Sequence, residues 1–110
     1  MQFITSVFSM NMLESPQIGH QFKIYAWKIS AESAKDFVES EAPKSVIPNA
    51  AFATIISADL DVDVLCNRET VKLRGGDTML LCQYSGPRLQ SGASELPNGA
   101  QIDYFVLEIA

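Results

Sequence analysis

From residue 22 to residue 27 the chain changes character at every step. Phe22, Ile24 and Ala26 alternate with Lys23, Tyr25 and Trp27. A period of two belongs to a strand with one buried face. Directly afterwards Ser30 has the chemistry of a helix N-cap, and Ala34, Phe37 and Val38 recur at helical spacing until Glu41-Ala42-Pro43 ends the run. A strand (Gln21–Ile29) that passes straight into a helix restricts the fold to a sheet carrying helices.

The rest of the chain fits that frame. Gln2–Phe8 is rich in β-branched and aromatic residues and predicts a buried strand. A loop over Ser9–Leu13 and a turn over Ser15-Pro16-Gln17-Ile18-Gly19 follow it. Asn49 is placed to cap a second helix whose Phe52, Ile55 and Ile56 face inward. Val62–Leu65, Glu69–Leu73 and Thr78–Tyr84 predict three short strands, with Arg74-Gly75-Gly76-Asp77 as a tight hairpin between the last two. Ser85–Ala100 predicts a long loop, and Ile102–Ile109 a closing strand. The expectation is one α/β domain over residues 1–110, with about six strands in one sheet and two helices.

With 110 residues, 47% of them hydrophobic and 19% charged, the chain suits one modest core and is not of disordered type. Its longest apolar run is far short of the roughly twenty residues a bilayer span needs. The start, Met1-Gln2-Phe3-Ile4-Thr5, lacks the basic residues of a signal peptide. Cys66 and Cys82 sit in apolar stretches and are expected to be reduced, buried thiols, which points to the cytosol. A net charge of −5 argues against sequence-independent binding to duplex DNA or anionic membranes. It leaves room for a small anion, because a few converging arginines create a positive field whatever the total charge.

Several familiar signals fail on inspection. Asp59-Leu60-Asp61-Val62-Asp63 opens like a calcium loop, but Val64 stands where glycine is required and Thr70 where glutamate is. Its carboxylates are expected to be solvated at the start of a strand. Two separated cysteines and one histidine make no structural zinc site, and no metal is expected. His20 is expected as an exposed loop histidine. Arg74-Gly75-Gly76-Asp77 lacks the lysine and helix of a phosphate loop. There is no Gly-x-Ser-x-Gly elbow and no Cys/His pair.

Three segments together resemble a family. Val7-Phe8-Ser9-Met10-Asn11-Met12-Leu13 resembles the Ala-Phe-Ser-x-Asn-Met-Leu segment of the viral ring nucleases, small dimeric anti-CRISPR enzymes that degrade cyclic tetra-adenylate. Asn67-Arg68, then Val71-Lys72-Leu73 and Gly76-Asp77, resembles the family's central Asn-Arg, strand and Gly-Asp turn. Gln83, Arg88-Leu89 and Gly92 resemble its Gln-x-x-x-Arg-Leu-x-x-Gly stretch, with one extra residue near Gly86-Pro87.

The resemblance implies a homodimer built on a mixed sheet of five or six strands. It implies a metal-independent reaction without cofactor, in which a ribose 2′-hydroxyl attacks the neighbouring phosphate and a histidine protonates the leaving oxygen. The position of that histidine falls at Asn49, preceded by Pro48 rather than glycine, and Ser91 stands where the family has a glutamate. Ser6 replaces an asparagine. An amide cannot supply a proton near neutral pH, so Asn49 and Ser91 are expected to be inactive. What survives is the binding half: Ser9, Asn11, Arg68, Gln83 and Arg88.

Three functions remain open from the sequence. The first is capture of a cyclic oligonucleotide with little or no cleavage, blunting an antiviral signal. The second is an active ring nuclease with a changed substrate or a displaced acid, for which His20 is the residue available. The third is a structural or protein-binding module with a vestigial pocket, in which Arg68 and Arg88 make ordinary surface ion pairs.

Overall fold

The computed structural model describes residues 1–14 and 18–110. The turn expected over Ser15–Gly19 therefore lies mostly outside the described residues. Five strands and two α-helices follow in the order β1 (Gln2–Thr5), β2 (Ile24–Ile29), α1 (Ala31–Glu41), β3 (Lys44–Ser45), α2 (Ala50–Leu60), β4 (Thr78–Ser85) and β5 (Gln101–Ile109). The strands form one mixed sheet in the order β2-β5-β4-β1-β3. β1 runs parallel to β3 and β4, while β5 is antiparallel to β2 and β4. This is the α+β architecture expected from the sequence.

Burial explains the arrangement. Phe3, Ile4 and Thr5 are consecutive and all buried, which suits a strand covered on both faces between parallel neighbours. On one face Ile4, Leu80, Tyr104 and Val106 meet Ala34 of α1 and Ala53, Ile56 and Leu60 of α2. On the other, Phe3, Met79, Leu107 and Ile109 are covered by Leu13, Val71 and Leu73 from irregular segments. Leu13 and Leu73 are 1% and 0% exposed. Burying each contributes about 1.5–3 kcal/mol.

That second cover corrects two expectations. Val62–Leu65 and Glu69–Leu73 are not strands; the ladder pairing along this stretch is confined to the isolated bridges Ile47↔Cys66 and Leu13↔Leu73. Their backbone bonds go elsewhere: Val64 N donates to Ser57 Oγ at 2.9 Å, and Leu73 N to the Met12 carbonyl at 2.6 Å. The alternation around Val71 and Leu73 comes from plugging the sheet, not from joining it. Arg74–Asp77 is accordingly a turn without a paired hairpin. Asp77 accepts from Arg74 N at 3.0 Å and from the Met1 ammonium at 3.1 Å, and Gly76 has a φ of 95°.

The other differences are smaller. β1 stops at Thr5 instead of continuing to Phe8, and the two-residue β3 is too short to show a period. Cys82 is buried as expected, and burial pushes its thiol pKa up, but Cys66 is exposed. Asp59 lies on α2, not at the start of a strand, and accepts a hydrogen bond from the buried Tyr104 hydroxyl. Desolvation of Tyr104, reinforced by that bond, raises its phenol pKa.

Candidate anion-binding site

The first turn of α2 is set by Asn49. Its backbone is extended (φ −107°, ψ 120°), and its Oδ1 accepts from Phe52 N at 3.2 Å, the N-cap role the sequence predicts. The amides of Ala50 and Ala51 have no intrahelical acceptor at that end of a helix, and the helix dipole adds partial positive charge there. A carboxylate or phosphate placed before them would be stabilised.

Arg68 reaches the same place from the segment after α2. Its Nε donates to the carbonyl of Pro48, the residue before the cap, at 3.1 Å. Glu69, its neighbour in sequence and the obvious ion-pair partner, is turned away. Lys44 Nζ reaches its Oε1 at 3.0 Å, and Asn67 Nδ2 reaches its Oε2 at 3.2 Å. Those two bonds, Lys44 first, hold the Glu69 carboxyl below the usual range, so it stays ionised in place.

Arg88 arrives from the loop between β4 and β5. Tyr84 anchors that loop by donating its hydroxyl to the Pro87 carbonyl, while its ring meets Phe52 edge-on at 5.4 Å. The result is an open cavity of about 350 Å³ whose walls include Asn49, Ala50, Ala51, Arg68, Arg88 and Ser91, with no Asp or Glu. Among the described residues neither arginine pairs with a carboxylate, whereas Lys28, Lys35, Lys44 and Arg74 each do. Surface ion pairing, the ordinary reading of Arg68 and Arg88, is therefore not what the structure displays. An acidic protein can thus carry a locally positive recess.

Four of the seven residues singled out from the sequence, Asn49, Arg68, Arg88 and Ser91, share this cavity. Ser9, Asn11 and Gln83 do not line it. Ser9 caps the short 3-10 turn at Met10–Met12, accepting from Asn11 N at 3.3 Å. The Asn11 carbonyl accepts from Lys72 Nζ at 3.0 Å. Gln83 is exposed on β4 opposite Asp103. His20 packs edge-on against Phe22 at 4.5 Å and is not among the cavity's walls. Sequence reasoning missed Gln90, which also lines the recess, and the Ala50 and Ala51 amides. The cap at Asn49 was the signal that could have located those amides.

Among the described residues no group of three or more His, Cys, Asp or Glu side chains is placed to hold a metal ion. No helix among them is long and apolar enough to cross a membrane.

The fold and site together define a small α+β protein with an arginine-lined recess at a helix N-terminus. Residues 10–104 match the STIV B116-like family, and the chain belongs to that family. Among solved structures it is similar to B116 of Sulfolobus turreted icosahedral virus (STIV), with 23% sequence identity, 97% of each chain covered and a TM-score of 0.73. That likeness is one of fold. Both matches carry the name of a viral protein. No curated protein matches the chain.

Proposed function

We propose that this protein captures a cyclic oligonucleotide second messenger, of the cyclic oligoadenylate kind, in the host cytosol and so blunts antiviral signalling with little or no cleavage. The observation that carries this reading is the convergence of Arg68, Arg88 and the first α2 amides on one recess that no carboxylate lines. Planar guanidinium forks suit phosphate oxygens, and a helix start adds donors of the same sign.

The sequestering character rests on Asn49. It occupies the position where the ring nuclease resemblance expects a histidine acid, and its Oδ1 is already engaged by Phe52 N. Loss of a general acid lowers a rate by about a hundred- to ten-thousandfold. Ser91, in the place of the family's glutamate, lines the same recess without a carboxylate to offer. No observation favours His20 as a replacement, since it packs edge-on against Phe22 and does not line the recess. A homodimer suits a ligand with two-fold symmetry, because each half-site repeats the same contacts.

A thermal-shift panel of cyclic di-, tri- and tetranucleotides tests the reading. At least one should raise the melting temperature, and Arg68→Ala should abolish that rise. A flat response to every ring would leave the capture reading without support and favour a structural or protein-binding role.

A further inference from the structure

Both α-helices end in the charge that their dipoles disfavour. α1 closes with Glu39 and Glu41, α2 with Asp59 followed by Asp61 at the cap, and neither has a basic residue in its last turn. The final carbonyls of a helix lack intrahelical donors and carry partial negative charge, so lysine or arginine is favoured there and carboxylates are not. At α1, Ala42 N covers the Val38 carbonyl at 3.1 Å, and Pro43 brings no N–H for the next one.

The residues that follow the two helices wall one cavity of about 320 Å³. Pro43 comes from the end of α1, Val62, Val64 and Leu65 from the end of α2, and Ile4 and Val38 extend the apolar lining. Leu65 is 73% exposed, so an aliphatic side chain stands in water at this groove. Asp63 is the one charged residue in its walls, and the Ser45 hydroxyl there already donates to the Leu65 carbonyl. Among the described residues neither Glu41 nor Asp63 is ion-paired, and Asp61 meets Lys35 only at 3.7 Å with its side chain 97% exposed.

We infer that this groove docks a partner protein through a basic segment. An aliphatic side chain of the partner enters the cavity, while lysines or arginines beside it meet Asp63, Glu41, Asp61 and the helix-end carbonyls. Charge selects that occupant. Seven of the 13 acidic residues lie between Glu32 and Asp63, against two basic ones, Lys35 and Lys44, and Lys44 is already bonded to Glu69. A nucleic acid or an anionic membrane is repelled from such a surface, and a second copy of the chain would bring the same acidic rim against this one. The groove shares no residue with the anion recess. It lies at the other end of α2, whose 11 residues span about 16 Å. The inference therefore stands apart from nucleotide capture.

NMR titration of the ¹⁵N-labelled protein with short synthetic peptides tests this. One pool places lysines and arginines around aliphatic residues at varied spacing, and a control pool replaces the aliphatic residues by serine. The first pool should move the Val62, Asp63 and Leu65 amides and leave Ala50 and Ala51 in place. The serine pool should bind about tenfold more weakly, the scale of burying one aliphatic side chain. Glu41→Gln combined with Asp63→Asn should weaken the aliphatic peptides by about fivefold, the scale of two exposed ion pairs. The melting temperature should hold or rise, because the first change removes a carboxylate from the end of α1. Equal binding of the two pools would reduce the groove to an unspecific acidic patch and overturn the docking site. Unmoved groove amides with every peptide would overturn it as well. Concentration-dependent shifts at Val62 and Leu65 in the protein alone would put a second copy in the partner's place. Should the double variant not fold, the comparison of the pools on the unaltered chain decides alone.

Discussion

Arg68 Nε donates to the Pro48 carbonyl at 3.1 Å, which ties a guanidinium to the residue before the cap of α2. The bond uses the inner nitrogen and leaves the outer fork for a ligand. Arg68→Ala and Arg88→Ala should each weaken binding of the captured nucleotide by about 1.5–3 kcal/mol, the range for charged hydrogen bonds. Both side chains are exposed, so circular dichroism melts should be nearly unchanged. Arg68→Lys should rescue little, because lysine has no Nε to hold Pro48 and no planar fork. Calorimetry showing full affinity in folded alanine variants would eliminate this recess.

A second prediction concerns a residue outside the recess. Lys44 and Asn67 hold Glu69 away from Arg68. Lys44→Ala should free that carboxylate to compete with the ligand for Arg68, weakening binding although Lys44 does not line the cavity. The pH dependence has a fixed sign. A depressed carboxyl pKa contributes stability that is present above the unfolded value and lost as pH falls through the folded one. NMR titration should place the Glu69 carboxyl below the ordinary glutamate range in the native chain and nearer to it in Lys44→Ala. An unmoved Glu69 pKa with unmoved affinity would refute the competition.

Tyr84 links the two arginine supports. Its hydroxyl holds the Pro87 carbonyl next to Arg88, and its ring meets Phe52, whose amide Asn49 caps. Tyr84→Phe keeps the ring contact and removes the bond, so binding should fall by about 0.5–1.5 kcal/mol. In an Arg88→Ala background the same change should cost almost nothing. Equal losses with and without Arg88 would show that Tyr84 does not act through it.

Much of this fold was legible in local pattern. The alternation from Phe22 to Trp27, the Ser30 and Asn49 caps and the apolar face of Ile55 and Ile56 each depend on neighbours a few residues away. The structure keeps the two caps and the buried Ile55 and Ile56. β2, however, begins only at Ile24 and Ala26 is exposed, so the alternation does not mark one continuous buried face. What misled was a period with two causes. Val71 and Leu73 alternate because they plug the sheet from an irregular segment, and side-chain spacing alone cannot distinguish that from a strand. The Asp59 bond to Tyr104 and the turning of Glu69 towards Lys44 join residues far apart in the chain, which no local rule anticipates. At the site, the meeting of Arg68 and Arg88 at Asn49 was suggested only by resemblance, and the recess with no carboxylate in its walls needed the structure.

The Asn49 position offers a gain-of-function test. Asn49→His places an imidazole at the helix start, and measurable release of linear product from a bound cyclic oligonucleotide should follow. Adding Ser91→Glu should raise the rate further, since both positions face one recess. Pro48 precedes the cap and can hold it in a different pose, and a misplacement of about 1 Å costs on the order of a hundredfold, so partial rescue is expected. Chromatography should show ends carrying a cyclic 2′,3′-phosphate. A folded double variant that binds the ring and yields no product would count against Asn49 as the acid's position.

Capture without cleavage is measured most directly by incubating the unmodified protein with a stoichiometric amount of cyclic tetra-adenylate, separating the complex by gel filtration, and analysing the nucleotide released from it by mass. The account predicts that the ring co-elutes with the protein, is recovered intact after prolonged incubation, and is not retained by Arg68→Ala. Brisk conversion to linear fragments by the unmodified chain would contradict it.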